Sequence, residues 1–325
     1  MFCTADSMKR RILVIDRMHD SLSEKFAKTG FEIDYQPSIS KQDALKALQS
    51  GAYVGLIVRS KLTIDQDILT YFNGVKFIGR AGAGIDNLNV EAVRKKGIAI
   101  LNAPEGNRDA VAEHTMGMLL NLMHKIRTSD QEVRSYVWDR EKNRGLELKG
   151  RTVGILGYGN MGSALAERLH GFGCKVIAYD EFKVGFGSTL VKEVDFDTFC
   201  LRTEILSIHI PLDANNFRLL DYTYLDRFKN LKIIINTSRG EVLILKDLLQ
   251  LLDEKKIQGA ALDVLENEKI KELTGEQKDI FDQLITRPDV ILTPHVAGWT
   301  HESFEKINQV LADKVSKLII AKGSE

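Results

Sequence analysis

A chain of 325 residues, 44% of them hydrophobic, is long enough for two domains with a core each. Forty-five Lys and Arg balance forty-five Asp and Glu, which argues against nucleic acid or an anionic membrane as a bulk partner and leaves any anionic ligand to local charges. Cys3, Cys174 and Cys200 are odd in number and stand at no metal spacing with histidine, so they predict a reducing, cytoplasmic setting with neither disulfides nor a metal. No run of eighteen apolar residues occurs, and Met1 to Arg11 lacks the apolar core of a signal peptide, so this start reads as a short disordered leader.

Beyond the leader, apolar runs alternate with amphipathic segments. Strands are expected at 12–15, 33–35, 54–58, 75–78 and 98–101, with helices at 21–28, 41–48 and 90–95, the last ended by Gly97. A hinge follows at Asn102-Ala103-Pro104. A buried helix then spans 109–126, carrying Val111, Met116, Leu119, Leu120 and Met123. Further strands fall at 152–156, 175–180, 205–210, 233–236, 259–263 and 290–292. The final helix, 302–320, has no strand after it and is expected to return to the first domain. The fold class is therefore α/β, with two doubly wound parallel-sheet domains. A Rossmann dinucleotide domain, 105–295, is inserted in a discontinuous flavodoxin-like domain, 1–104 and 296–325, with the site expected in the cleft between them.

The strongest local signal is Gly157-Tyr158-Gly159-Asn160-Met161-Gly162 directly after the strand at 152–156. The first glycine allows a tight turn, the second lets backbone approach a pyrophosphate, and the third lets the helix pack on the strand with its first amides facing the anion. Asp180, ending the next strand, stands where a carboxylate takes ribose hydroxyls and repels a 2′-phosphate. NAD is thus expected over NADP, with Lys183 the one neighbour that would blur the preference.

A nicotinamide needs a proton shuttle, a cation on the reacting oxygen and an anchor for the rest of the substrate. Three residues at strand ends offer these. Arg239 lies in Asn236-Thr237-Ser238-Arg239-Gly240, Glu268 five residues after Asp263, and His295 in Thr293-Pro294-His295-Val296-Ala297-Gly298.

These motifs, with Gly79-Arg80-Ala81-Gly82-Ala83-Gly84-Ile85-Asp86-Asn87, Val111-Ala112-Glu113 and Glu147-Leu148-Lys149-Gly150, give a chain that resembles the D-isomer-specific 2-hydroxyacid dehydrogenases, and within them the phosphoglycerate dehydrogenase branch. The resemblance implies His295 as acid-base, Glu268 as its carboxylate partner and Arg239 on the substrate carboxylate and C2 oxygen. It adds Thr237 to the cofactor residues, sets Asp263 against the nicotinamide carboxamide, and places His209 and Pro211 on the adenine and ribose side. Arg59, Ser60, Arg80, Ala83, Gly84 and Asn107 match substrate-facing segments; the amides of a Gly82-Ala83-Gly84 nest would take the carboxylate, leaving Arg59 or Arg80, with Lys61, for a phosphate. The expected substrate is a small anionic 2-hydroxy or 2-keto acid, 3-phosphoglycerate first. Lys269 after Glu268, Ala110 and Asn216-Phe217-Arg218 depart from the family pattern. A homodimer through the helix at 109–126 and the arm with Tyr136 and Trp138 is expected, and with no regulatory domain after Glu325, a short form. The rival readings are a glyoxylate or hydroxypyruvate reductase and an NAD-sensing corepressor-like binding protein.

Overall fold

The computed structural model describes residues 10–322, so Cys3 and the leader up to residue 9 lie outside the described residues. Arg11 belongs to the first strand. The chain divides into two compact units, one holding everything up to Asn107 and again from Thr300, the other Arg108–Trp299.

The first unit runs β1 (Arg11–Val14), α1 (Leu22–Phe26), β2 (Glu32–Tyr35), α2 (Lys41–Gln49), β3 (Tyr53–Val58), α3 (Gln66–Leu69), β4 (Phe77–Arg80), α4 (Val90–Lys95) and β5 (Ala99–Asn102). All pairings are parallel, in the order β2-β1-β3-β4-β5. Both faces are covered, which is why β1 reads as a continuous apolar run. Ile12 and Val14 join Phe26, Phe77 and Leu311 on one face, while Leu13 and Ile15 join Leu48, Leu56 and Ile78 on the other. The last helix seals the first of these faces. A reciprocal Thr300–Ser303 pair of backbone-to-hydroxyl bonds opens it, and Ile307, Leu311 and Val315, four residues apart, line its buried side.

Between the two stretches of this unit the chain continues through α5 (Pro104–Met123), α6 (Ile126–Arg134), β6 (Thr152–Leu156), α7 (Asn160–Leu169), β7 (Lys175–Tyr179), β8 (Lys192–Glu193), α8 (Phe196–Arg202), β9 (Ile205–Ile208), α9 (Tyr222–Asp226), β10 (Ile233–Asn236), α10 (Leu245–Asp253), β11 (Gly259–Leu262), α11 (Gly275–Thr286) and β12 (Val290–Leu292), before α12 (His301–Lys322). The second sheet is parallel throughout, in the order β12-β11-β10-β9-β6-β7-β8. From β6 the winding goes out through β7 and returns through β9, so the topological switch lies between β6 and β9, where such sheets bind ligands beyond their carboxyl ends.

Three details differ from the sequence expectation. The helix expected at 109–126 starts at Pro104, which suits a first turn, and stops at Met123 because Lys125 takes a left-handed conformation (φ 54°) before α6. The strand expected at 75–78 is β4, two residues later, where Gly79 and Arg80 pair with Ile57 and Val58. The two-residue edge strand β8 has no hydrophobic pattern to announce it. Cys174 and Cys200 are free thiols, and burial pushes the Cys200 thiol up to about 11. Among the described residues no helix is long and apolar enough to cross a membrane, and no three His, Cys, Asp or Glu side chains gather as metal ligands.

Candidate active site

The glycine run lies at the β6–β9 switch. Gly157 has φ +90°, and a methyl there would stand 2.9 Å from the His209 carbonyl, so this turn and the end of β9 are in direct contact. A methyl on Gly162 would collide with the Gly157 carbonyl and meet Ile155 Cγ2 at 2.9 Å, whereas one on Gly159 would meet nothing within 4 Å. The middle glycine thus opens onto space, as close approach by a phosphate requires. Gly159 is also the N-cap of α7 and offers no side-chain cap, so the first-turn amides at Asn160 and Met161 donate to no acceptor among the described residues. His209 adds a buried Nδ1 with no partner among the described residues. Its Nε2 lies 2.8 Å from Ser207 Oγ, and burial pushes the ring down to about 4, so it is neutral. The exposed Pro211 follows, its carbonyl accepting from Asn216 Nδ2. This arrangement fits a dinucleotide.

Asp180 is more occupied than the sequence suggests. Its carboxylate accepts the Tyr158 amide at 2.7 Å and the Phe182 and Lys183 amides at 3.0 and 2.9 Å. Four lone-pair directions leave one for a ligand hydroxyl. Lys183 Nζ donates to the Tyr158 carbonyl and sits 5.2 Å from the Tyr158 ring, which stacks on Phe186. These contacts tie the Asp180 loop to the glycine turn.

Arg239, Glu268 and His295 follow β10, β11 and β12. Asn236, fully buried, accepts from the Ser238 amide and hydroxyl and donates to the Arg239 carbonyl, setting the turn that presents Arg239. The Arg239 guanidinium donates to the Ser238 carbonyl at 2.7 Å. Thr237 is nearly buried, its hydroxyl 3.2 Å from that of Thr115 on α5, so that group faces inward. Glu268 Oε1 lies 2.8 Å from His295 Nδ1, with both side chains about half exposed. The Glu268 hydrogen bond raises the His295 pKa above its ordinary value, against the lowering by burial and by Arg239. Glu266, the other carboxylate nearby, caps α10 through the Leu245 amide and pairs with Arg218. Lys269, where the family has proline, gives its amide to Asn267 Oδ1.

Asp263 is 1% exposed, and both its oxygens already have donors within the protein. Oδ1 accepts from the Thr293 hydroxyl at 2.6 Å and the Val296 amide at 2.9 Å, Oδ2 from the Ala297 amide at 2.8 Å, and its carbonyl takes the His295 amide. His114 Nε2 is 3.1 Å from Thr293 Oγ1. The carboxylate therefore fixes the loop that carries His295, which itself has φ 54°. Sequence reading missed His114 and Thr293. Their only signal is a histidine on the apolar helix α5 and a hydroxyl two residues before His295.

The six residues expected to face substrate lie in the first unit. The Arg59 amide is held by buried Asp16, also missed from sequence, and its guanidinium stands 5.5 Å from the Phe304 ring centre. Burial lowers the Arg59 pKa, against the pull of Asp16. Ser60 is exposed beside it. Arg80 folds back over Gly82, whose φ is +152°. The Gly82 amide goes to the Arg80 carbonyl, which narrows the expected nest to Ala83 and Gly84, whose amides donate to no acceptor among the described residues. Asn107 has a buried Oδ1 without a partner among the described residues. Lys61 is turned elsewhere, donating to the Pro37 and Ile39 carbonyls.

Fold and glycine site together define an NAD-binding α/β protein of two units. Residues 116–297 match the model of the D-isomer specific 2-hydroxyacid dehydrogenase NAD binding domain. The chain is 30% identical over 315 residues to a D-3-phosphoglycerate dehydrogenase of Archaeoglobus fulgidus, covering 96% of this chain and 58% of that one. It is 32% identical over 262 residues to a hydroxypyruvate reductase of Thermotoga maritima, covering 81% and 83%. A solved protein of Pyrococcus horikoshii has a TM-score of 0.79 at 26% identity, covering 95% and 92%. The chain thus spans little more than half the length of the phosphoglycerate dehydrogenases it matches. It belongs to the D-isomer-specific 2-hydroxyacid dehydrogenase family.

Proposed function

We propose that this chain is an oxidoreductase interconverting a D-2-hydroxy acid and its 2-keto acid, with 3-phosphoglycerate and 3-phosphohydroxypyruvate as the preferred pair. Bound NAD supplies the hydride acceptor in one direction and, reduced, the donor in the other. The observation that carries the reading is the His295–Glu268 contact at 2.8 Å. Because Glu268 holds Nδ1, Nε2 is the ring nitrogen left to exchange a proton with the C2 oxygen. In reduction the protonated ring gives that proton; in oxidation the neutral ring removes it. Arg239 binds the substrate carboxylate and polarises the C2 oxygen, a task that suits a planar guanidinium.

In the first unit the Ala83 and Gly84 amides take the carboxylate, while Arg59 and Arg80 take the phosphate, with Ser60 and Asn107 as polar neighbours. The partly desolvated Arg59 supports this, since such a guanidinium gains most from a phosphate. Gly157, Tyr158, Gly159, Asn160, Met161, Gly162, Asp180, His209 and Pro211 form the cofactor set of this reading, with Thr237, its hydroxyl turned inward, and Asp263, its carboxylate holding the His295 loop, as supports of that site. A homodimer is part of it, supported by Tyr136 at 100% and Trp138 at 80% exposure in the single chain.

The test is NADH oxidation by purified protein with 3-phosphohydroxypyruvate, hydroxypyruvate, glyoxylate and pyruvate in parallel, with His295→Ala as control. Preference for the phosphorylated acid, lost in the control, is the expected result. A second reading, reduction of hydroxypyruvate, is favoured by the match to a hydroxypyruvate reductase over 83% of that enzyme; preference for the unphosphorylated acid would select it. NADH binding without turnover would instead select a binding protein.

A further inference from the structure

We propose that His114 is a positioning residue for His295, acting through Thr293 and Asp263; this rests on the reading of His295 as the acid-base group. Thr293 has a single hydroxyl hydrogen, and its 2.6 Å contact with an Asp263 carboxylate oxygen, an acceptor only, commits that hydrogen to Asp263. The 3.1 Å contact between His114 Nε2 and Thr293 Oγ1 must then run the other way, with Nε2–H donating. This fixes the His114 tautomer. A ring protonated only on Nδ1 would present Nε2 as a second acceptor and compete with Asp263 for the same hydrogen.

The consequence reaches His295 through the loop. Asp263 holds residues 293–297 by three donors. Two are backbone amides of fixed direction, and the third is the Thr293 hydroxyl, the one donor free to rotate. His295 lies between Thr293 and Val296 and has a left-handed backbone (φ 54°), which a non-glycine residue keeps only where its surroundings over-determine it. By donating to Thr293, His114 holds the rotor on Asp263. The charged and titratable groups bearing on the two rings are Asp263, 3.6 Å from His114 Nε2, and Glu268, Arg239 and Asp263 around His295.

The experiment is a double-mutant cycle in the full chain with His114→Leu, Thr293→Val and both together. It is read by kcat and KM with the keto acid preferred in the substrate panel, and by NMR titration of the His295 ring without ligands. Loss of one hydrogen bond predicts about a fivefold fall in kcat for His114→Leu, with little change in KM. The His295 ring should titrate at lower pH. The double variant should be no worse than Thr293→Val, and His114→Gln, whose side-chain amide also donates, should recover most of the loss. Additive losses, or a fall in kcat with the ring titration unmoved, would overturn the proposal. If His295→Ala keeps full turnover, the acid-base reading fails by itself, while the ring titration still decides the coupling. Should His114→Leu not fold, His114→Asn, too short to reach Thr293, takes its place.

Discussion

Replacing Glu268 by Gln tests the acid-base reading most directly, because it removes a charge and keeps the shape. The pair is a charge-assisted hydrogen bond of 2.8 Å, a type that contributes about 1.5–3 kcal/mol. Its two side chains are 47% and 48% exposed, so solvent screening brings the net effect to the bottom of that range or just below it, about 1–1.5 kcal/mol. That corresponds to roughly a tenfold loss of kcat/KM for keto-acid reduction at neutral pH. The sign of the pH effect follows from the raised His295 pKa. The protonated ring drives reduction, so the rate is full below the ordinary histidine pKa and lost as pH rises through the raised one. In Glu268→Gln this loss should begin at lower pH. The same linkage makes the pair's contribution to stability full below the unfolded pKa and absent once pH exceeds the folded one, so the melting temperature should differ between wild type and variant at pH 6 and converge at pH 9. Initial rates of NADH oxidation from pH 5 to 10 provide the assay, with Glu266→Gln as the control for a neighbouring carboxylate that caps α10 instead. The reasoning is refuted if Glu268→Gln leaves the alkaline limb in place or if Glu266→Gln moves it.

Gly162→Ala should abolish NADH binding or folding, since its methyl would strike the Gly157 carbonyl, whereas Gly171→Ala, with nothing within 4 Å, should bind normally; fluorescence titration with NADH, with circular dichroism for folding, separates the two. Replacing Tyr136 and Trp138 by Ser should shift the protein from dimer to monomer in analytical ultracentrifugation, and a wild-type monomer at micromolar concentration would end the dimer proposal. The left-handed backbone of His295 predicts that His295→Gly melts above His295→Ala, by about 1 kcal/mol of stability, although neither turns over. Equal melting would mean the loop relaxes around alanine.

Much of the fold was legible because both sheets are parallel and covered on both faces, which makes each strand a dense apolar run such as Ile233 to Ile235. The glycine fingerprint was legible for a related reason: Gly157 and Gly162 are places where any side chain collides with backbone. Element ends were less visible. The break after Met123 depends on the backbone of Lys125 and on Gly145 packing against Met123 and His124, contacts from more than twenty residues away that no local pattern encodes. The first-unit residues were legible as positions only. Nothing local says that Lys61 turns to Pro37 and Ile39, or that Asp16, forty-three residues earlier, holds the Arg59 amide.

The three acids after β11 show where spacing stops being informative. Asp263, Glu266 and Glu268 lie within six residues, and their tasks are divided by burial. The fully buried Asp263 is surrounded by donors of one loop and serves as its anchor; an ionised carboxylate so placed is tolerable only because those donors replace water. Glu266, partly buried, completes the start of α10 and faces Arg218. Glu268, the most exposed of the three, meets the His295 imidazole at Nδ1. A shift of one residue in this segment would turn an anchor into a surface charge and strand His295 in a conformation it does not hold unaided. The bonding that holds the loop around His295 therefore starts at Asp263, just past the end of β11 and 32 residues before the histidine itself.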